Sequence, residues 1–170
     1  MAEASELLRV PESEYGARYR GDVFSMYQDY IDSADKISDR RHQANTLFLT
    51  INTALVAFAG TLLSEGQAGF LWIVALAGIY FCSYWKKLID LYRGINSAKF
   101  DIIHKMEQQL PMAPYDAEWA LLEEGKDESV HQPFTKIEAT IPKIFTYLHA
   151  VTILMSLLLL ANTFISISDK

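Results

Sequence analysis

Residues 43–85 have the sequence QANTLFLTINTALVAFAGTLLSEGQAGFLWIVALAGIYFCSYW, and this stretch decides the fold. Glu65 is its only charged residue and divides it into two apolar runs. Each run has roughly the 20 residues that an α-helix needs to cross a hydrocarbon layer about 30 Å thick. Neither run alternates between polar and apolar residues as a strand of a membrane barrel does. The stretch therefore predicts a transmembrane helical hairpin.

A third apolar run covers residues 144–168. A segment inside a bilayer must satisfy its own backbone hydrogen bonds, and an apolar run without alternation does so as a helix. We therefore predict an all-α integral membrane protein with three transmembrane helices. The first two of these helices are expected to continue as long cytoplasmic extensions.

A stripe of residues at alternating spacings of three and four runs through the first span and the segment before it. Because no Pro or Gly lies between Asp22 and Ala59, we expect one helix of roughly 40 residues there. The second span continues in the same manner to about Leu110, and Pro111 then ends it. Outside the bilayer the stripe needs a partner, either within the chain or in the next subunit. Its members are Val23, Tyr27, Tyr30, Ala34, Ile37, Arg41, Ala44, Phe48, Ile51, Leu55, Phe58 and Leu62.

These patterns divide the chain into four segments. The segments are a loosely ordered N-terminal tail (1–20), the long-helix hairpin with its extensions (21–110), a cytoplasmic segment with a short helix (111–142), and the third transmembrane helix with a short tail (143–170). Near the end of the third segment, Thr135 and Glu138 have the spacing of a capping box ahead of the third span.

Lysines and arginines lie unevenly around the predicted spans. Six precede the first span, none lies in the hairpin turn, eight separate the second span from the third, and one follows the third. Positive charge marks the cytoplasmic side of a membrane. We therefore expect the N-terminus in the cytoplasm and the C-terminus outside. The basic residues expected at the membrane interface are Arg40, Arg41, Lys86 and Lys87; for the two arginines, lipid-headgroup contact and topological anchoring are equally good explanations.

Several functional classes find no support in the sequence. The net charge of −6 argues against a nucleic-acid partner. Cys82 is the only cysteine, so neither an intramolecular disulfide nor a Cys/His metal spacing exists. No Gly-rich phosphate loop, HExxH sequence or nucleophile motif occurs. We therefore predict that the protein is not an enzyme and uses no metal or other cofactor.

The candidate site residues are polar side chains within or beside the apolar runs. His149 is the one ionisable side chain inside a run, and such a group in a membrane is a functional candidate. Two interpretations stay open: these residues line a pore in an oligomer, or they form hydrogen bonds between packed helices. The candidates are Asn45, Asn52, Thr53, His149, Thr152 and Ser156.

One face of the first span carries small and hydroxylated residues, and the same two interpretations apply to it. We call it the hydroxyl face. Its residues are Thr46, Thr50, Thr53, Ala54, Ala57, Gly60, Thr61 and Ser64.

The predicted extension before the first span has an acidic face, formed by Asp29, Asp32, Asp35 and Asp39. A solvated face with weak surface ion pairs explains it. A divalent-cation site is the alternative, and it would need carboxylates from several chains. The extension of the second span offers the complementary charges of Arg93, Lys99 and Lys105.

Three stretches resemble a known family. They are ADKISDRRHQANTLFLTINTAL (34–55), LPMAPYDAEWALLEEGKD (110–127) and FTKIEATIPKIFTYL (134–148). Together they are similar to the RipA-type octameric membrane proteins of bacteria. The resemblance implies a bacterial inner-membrane protein that assembles into a homo-oligomer of eight subunits, and it carries over no catalytic residue. The hairpin is also similar, more weakly, to the SLATT-type effector domains, which lack a clear counterpart of the third span and whose likeness implies a membrane pore.

Two functions follow as hypotheses. The first is a pore or channel that acts as a stress or defence effector and is lined by Asn45, Asn52 and His149. The second is a non-conducting membrane scaffold whose cytoplasmic helices recruit a protein partner. A pore needs a wettable face that remains after the helices have packed, whereas a scaffold depends on its cytoplasmic surface.

Overall fold

The structure is a computed structural model that describes residues 7–126 and 137–168. Within these two ranges every regular element is helical. Three helices are long and apolar enough to cross a membrane, which confirms the predicted fold class. The helices are α1 (Glu12–Tyr15), α2 (Tyr19–Ser64), α3 (Leu71–Glu107), α4 (Pro114–Leu121) and α5 (Thr140–Ser168).

The long helices begin and end close to the predicted positions. α2 is one helix of 46 residues and begins inside the predicted tail. α3 ends at Glu107, three residues before the predicted end, and a turn follows in which the Leu110 N–H donates to the Glu107 carbonyl. α4 has Pro114 in its first turn, where the missing N–H of proline costs nothing. Thr135 of the predicted capping box lies outside the described residues.

The chain forms two compact units. The described part of the first unit comprises residues 7–40 and 91–126, and that of the second comprises 41–90 and 137–168. The boundary therefore falls within α2 and within α3.

The first unit is built around a small hydrophobic core. Tyr27 and Ala34 of α2 pack with Ile103 of α3, and all three are buried. Tyr27 and Ala34 of the stripe therefore find their partner within the chain. The partly buried residues around this core are Tyr30, Ile31, Phe100, Met106, Leu110 and Tyr115.

The second unit has an aromatic core. The rings of Phe48 and Trp85 stack with their centroids 5.9 Å apart, and Ile89 is buried beside them. Phe145 brings α5 onto this cluster. Phe58 belongs to the predicted stripe but is 52% exposed. The buried hydrophobic residues of α2, by contrast, all belong to the stripe: Val23, Tyr27, Ala34, Phe48 and Leu62.

Candidate functional site

The polar residues of the second unit form layers between its three helices. In the first layer, Asn45 Nδ2 donates a hydrogen bond of 3.2 Å to Glu138 Oε1, and Trp85 Nε1 donates one of 2.8 Å to Asn45 Oδ1. Arg41 Nε lies 3.7 Å from the same Glu138 oxygen. Asn45 therefore connects α2 to α3 and to the residues that lead into α5.

The second layer centres on Asn52, whose side chain is fully buried. Its Oδ1 accepts a hydrogen bond of 3.1 Å from Cys82 Sγ and lies 3.1 Å from His149 Nε2. Because an amide oxygen can only accept, the His149 ring must carry its proton on Nε2 to form this bond. Asn52 Nδ2 donates to the Phe48 carbonyl. One asparagine thus joins side chains from all three spanning helices.

Gly78 makes this layer sterically possible. A Cβ placed at Gly78 would overlap the imidazole ring of His149. The ring therefore lies directly against the backbone of α3. Close helix approach at a small residue, with a polar side chain bonded across the gap, is how helices associate in membranes.

The third layer is a single hydrogen bond. Ser156 Oγ of α5 donates to the Ala68 carbonyl at 2.8 Å, and Ser156 is fully buried. Two contacts of α5 with the region of α3 show the relative direction of the helices: His149 lies at Gly78, and Ser156, seven residues further along, lies at Ala68, ten residues before Gly78. The two helices are therefore antiparallel, and the polar layers set their register.

The six candidate residues consequently divide into three groups by burial. Asn52, His149 and Ser156 are buried between helices of one chain. Asn45 is partly buried in the first layer, and Thr152 is partly buried and donates to the Leu148 carbonyl of its own helix. Thr53 alone is exposed. Interhelical bonds of this kind contribute about 0.6 kcal/mol each on average in a membrane, so the layers act together rather than singly.

The hydroxyl face of α2 points away from this interior. All eight of its residues are exposed. Thr46, Thr50 and Thr61 each donate to the carbonyl four residues earlier in the helix, at 2.9 to 3.3 Å. At 100° per residue the face lies opposite Phe48 and Leu62, which are buried.

The four basic residues predicted at the membrane interface differ in their contacts. Arg41 is paired with Glu138, whereas Arg40, Lys86 and Lys87 are exposed. Within residues 7–126 and 137–168 no ion pair involves these three exposed bases. Arg41 is thus part of the first polar layer.

The acidic face of α2 is fully exposed: Asp29, Asp32, Asp35 and Asp39. In the described ranges no ion pair links these aspartates to α3. Lys99 instead donates to Ser33 Oγ at 2.8 Å and lies 4.5 Å from the centroid of the Tyr30 ring. The expected charge pairing between the two extensions is therefore not formed within the described chain, and among those residues no cluster could hold a metal ion.

Sequence reasoning missed one buried carboxylate, Glu107 at the end of α3. Its Oε1 accepts hydrogen bonds from Tyr27 OH at 2.8 Å and from the Tyr115 N–H at 3.0 Å. Its Oε2 accepts one from the Asp116 N–H at 2.9 Å. A carboxylate at the start of a helix satisfies N–H groups that have no partner inside the helix. The sequence signal that could have pointed to Glu107 is the proline at the start of α4, because the N–H groups of the residues after it need an acceptor.

Tyr115 lies beside this carboxylate, and its ring packs edge to face on Phe100 at 5.7 Å. Burial raises the pKa of its phenol, and the negative charges of Asp35, Glu118 and Glu107 raise it further. Tyr115 is therefore neutral at physiological pH. The ring anchors α4 by packing and does not act as a titrating group.

Comparison with known proteins gives one match. The family model described as Octameric membrane protein family (8xMP) matches residues 24–158, a range that holds all three polar layers and the hydroxyl face. No curated protein and no solved structure gives a significant match.

Proposed function

The chain belongs to the octameric membrane protein family, and from that premise we propose that its subunits form a membrane pore whose wall is the hydroxyl face of α2. The family makes the protein a homo-oligomer in a membrane. The structure of one chain supplies the candidate for the wall. The further proposal is that this pore serves as a stress or defence effector.

The exposure of the hydroxyl face is the observation that carries this proposal. A pore needs a wettable surface that the packing of each subunit leaves free. Asn52 and His149 do not provide it, because both are buried and bonded inside the chain. The hydroxyl face does provide it, because its residues are exposed and lie opposite the interior.

The hydroxyl face is also long enough to line most of a path through a bilayer. From Thr46 to Ser64 it extends about 27 Å at 1.5 Å per residue. The hydrocarbon core of a bilayer is about 30 Å thick. A wettable strip of this length reaches almost from one headgroup region to the other.

The hydroxyl groups are suited to contact with water. Each threonine hydroxyl that donates to its own helix keeps lone pairs on its oxygen, and water or a cation can use them. Thr46, Thr50 and Thr61 are in this state. Ala57 and Gly60 between them add no bulk that would narrow a central path.

Large apolar residues flank the hydroxyl face on both sides. They are at least 38% exposed and are available to lipid or to the helices of adjacent subunits. A strip of small polar residues between two apolar edges is the pattern expected of a helix that faces water on one side only. The flanking residues are Leu47 and Phe58 on one side, and Leu49, Val56 and Leu63 on the other.

The test is solute flux through liposomes that contain the purified oligomer. Thr53→Leu places an apolar side chain from every subunit on the proposed wall. We expect the flux to fall roughly tenfold or more, because an apolar constriction excludes water. Thr163→Leu on α5 is the matched control, since Thr163 is also exposed and donates to its own helix. Unchanged flux in an intact Thr53→Leu oligomer would contradict the proposal.

A non-conducting scaffold is the second candidate, and the acidic face favours it. Asp32 and Asp39 are exposed and have no ion-pair partner in the described chain. A basic surface of another protein would complement them. If the scaffold is correct, Asp32→Asn with Asp39→Asn abolishes co-purification of that partner and leaves membrane insertion intact. Co-purification that survives these changes counts against the scaffold.

We further propose a bacterial inner membrane, with the N-terminus in the cytoplasm and the C-terminus outside. The distribution of lysine and arginine around the spans supports this orientation. Alkaline phosphatase fused to the C-terminus should then be active in intact bacteria, because this enzyme needs the environment outside the cytoplasm. An inactive fusion would indicate the opposite orientation.

A further inference from the structure

Two exposed strips on the second unit carry the same order of side chains. On α3, Lys87 is followed towards the start of the helix by Tyr84 and Tyr80, which are 53% and 66% exposed. On α5, Lys143 is followed by Tyr147, which is 73% exposed. Exposed aliphatic residues continue each strip: Leu76 and Ile73 on α3, and Val151, Leu154 and Leu158 on α5. We call these the lysine–tyrosine strips.

The strips run in opposite directions in the sequence and yet share one direction in space. α3 and α5 are antiparallel, as the contacts of Gly78 with His149 and of Ala68 with Ser156 show. Lys87 lies nine residues after Gly78, and Lys143 lies six residues before His149. Both lysines therefore lie towards the same end of the unit, about 5 Å apart in level at 1.5 Å per residue. Both strips proceed from a cation through phenols to aliphatic side chains.

That order matches the cross-section of a phospholipid leaflet. Lysine extends its ammonium group to the phosphate level, tyrosine favours the interface, and aliphatic residues favour the acyl chains. Both lysines are exposed, and neither has an ion pair within residues 7–126 and 137–168. The hydroxyl face of α2 carries no tyrosine or lysine in a corresponding position.

We infer that the lysine–tyrosine strips are binding surfaces for anionic diacyl phospholipids, with Lys87 and Lys143 contacting the headgroup phosphate. A basic residue at the membrane surface attracts anionic lipid by about 1 kcal/mol, which is roughly a fivefold preference. Two such residues towards the same end of the unit give each subunit a preference for anionic over zwitterionic headgroups. The inference is independent of conduction and holds equally for a scaffold.

The experiment uses the full-length oligomer reconstituted in vesicles of equal parts phosphatidylglycerol and phosphatidylcholine. The oligomer is re-extracted in mild detergent, and the two lipids that remain bound are quantified by mass spectrometry. We expect the wild type to retain phosphatidylglycerol in excess. The variant Lys87→Gln with Lys143→Gln should lose this excess, and each single variant should reduce it roughly fivefold.

Arg93→Gln is the matched control, because Arg93 is an exposed base of the same helix in the other unit. It should retain the wild-type excess, and Lys87→Arg with Lys143→Arg should retain it as well, since the positive charge remains. If the double glutamine variant does not assemble, the single variants decide the question in the same assay. An unchanged excess in assembled glutamine variants, or an equal loss in Arg93→Gln, would overturn the inference.

Discussion

Within the second unit, the exposed surface of α2 differs in kind from the exposed surfaces of α3 and α5. On α2 the residues opposite the interior are threonine, serine, alanine and glycine. On α3 and α5 the outward residues include Tyr80, Tyr147 and Leu158, each at least 59% exposed. Lipid chains give no reason to select small hydroxylated residues, whereas a neighbouring backbone or water does. The difference supports the proposal that the hydroxyl face turns away from lipid.

The polar residues of the second unit show a corresponding difference between the interior and the exterior. Asn52 and Thr53 are adjacent in the sequence, but Asn52 is buried in the second polar layer while Thr53 lies on the hydroxyl face. The interior uses its polar groups to hold one chain together. On the exterior, Thr46, Thr50 and Thr61 donate to their own helix and keep their acceptor lone pairs for contacts outside the chain.

The largest expected difference in the free energy of unfolding is between alanine substitutions at two glycines, Gly78 and Gly60. Gly78→Ala should lower the free energy of unfolding by about 3 kcal/mol, because the added methyl group forces the His149 ring out of its place. Titration with a denaturing detergent, followed by circular dichroism, measures this change. Gly60→Ala is the control, because within the described chain the added Cβ meets no heavy atom closer than 4 Å beyond the backbone of its own helix and its two chain neighbours. Equal effects at the two glycines would remove the distinction between interior and hydroxyl face.

The adjacent pair Asn52 and Thr53 should give the next largest contrast. Asn52→Ala removes the acceptor shared by Cys82 and His149, and we expect a loss of about 2 kcal/mol in the same titration. Thr53→Ala should leave the stability of the subunit within about 0.5 kcal/mol, since its side chain is exposed. A larger loss at Thr53 than at Asn52 would contradict the assignment of the two faces.

A smaller difference in stability is expected between substitutions at two carboxylates of the first unit, Glu107 and Asp32. Glu107→Gln keeps the shape of the side chain but replaces one acceptor oxygen with a donor nitrogen. We expect a loss of about 1 kcal/mol, because a buried N–H of α4 or the Tyr27 hydroxyl then lacks its acceptor. Asp32→Asn on the exposed acidic face should be close to neutral. Hydrogen exchange at the start of α4 measures the difference, and equal protection in both variants would count against a capping role for Glu107.

Much of the fold could be predicted from the sequence because it depends on composition along the chain. Long apolar runs without charge require helices in a membrane, and the absence of Pro and Gly between Asp22 and Ala59 requires that the first helix be continuous. The stripe from Val23 to Leu62 also identified the buried hydrophobic residues of α2. These features are local, so one sequence is enough to find them.

The division of the polar residues could not be predicted in the same way. Asn52 and Thr53 differ by 100° around α2, and only the positions of α3 and α5 decide which of them is buried. The contact between Gly78 and His149 joins residues 71 positions apart in sequence. Glu107 was missed because its partners, Tyr27 and the start of α4, meet only in the folded first unit.

The central claim is that the hydroxyl face of α2 lines a water-filled path, and the accessibility of single cysteines tests it most directly. In a Cys82→Ser background, Thr53→Cys and Leu154→Cys are each introduced into the full chain, and the oligomer is reconstituted in liposomes. A charged thiol reagent that does not cross lipid is then added. We predict rapid modification at position 53 and none at position 154, where the side chain faces lipid. An unreactive position 53 in an assembled oligomer would contradict the claim.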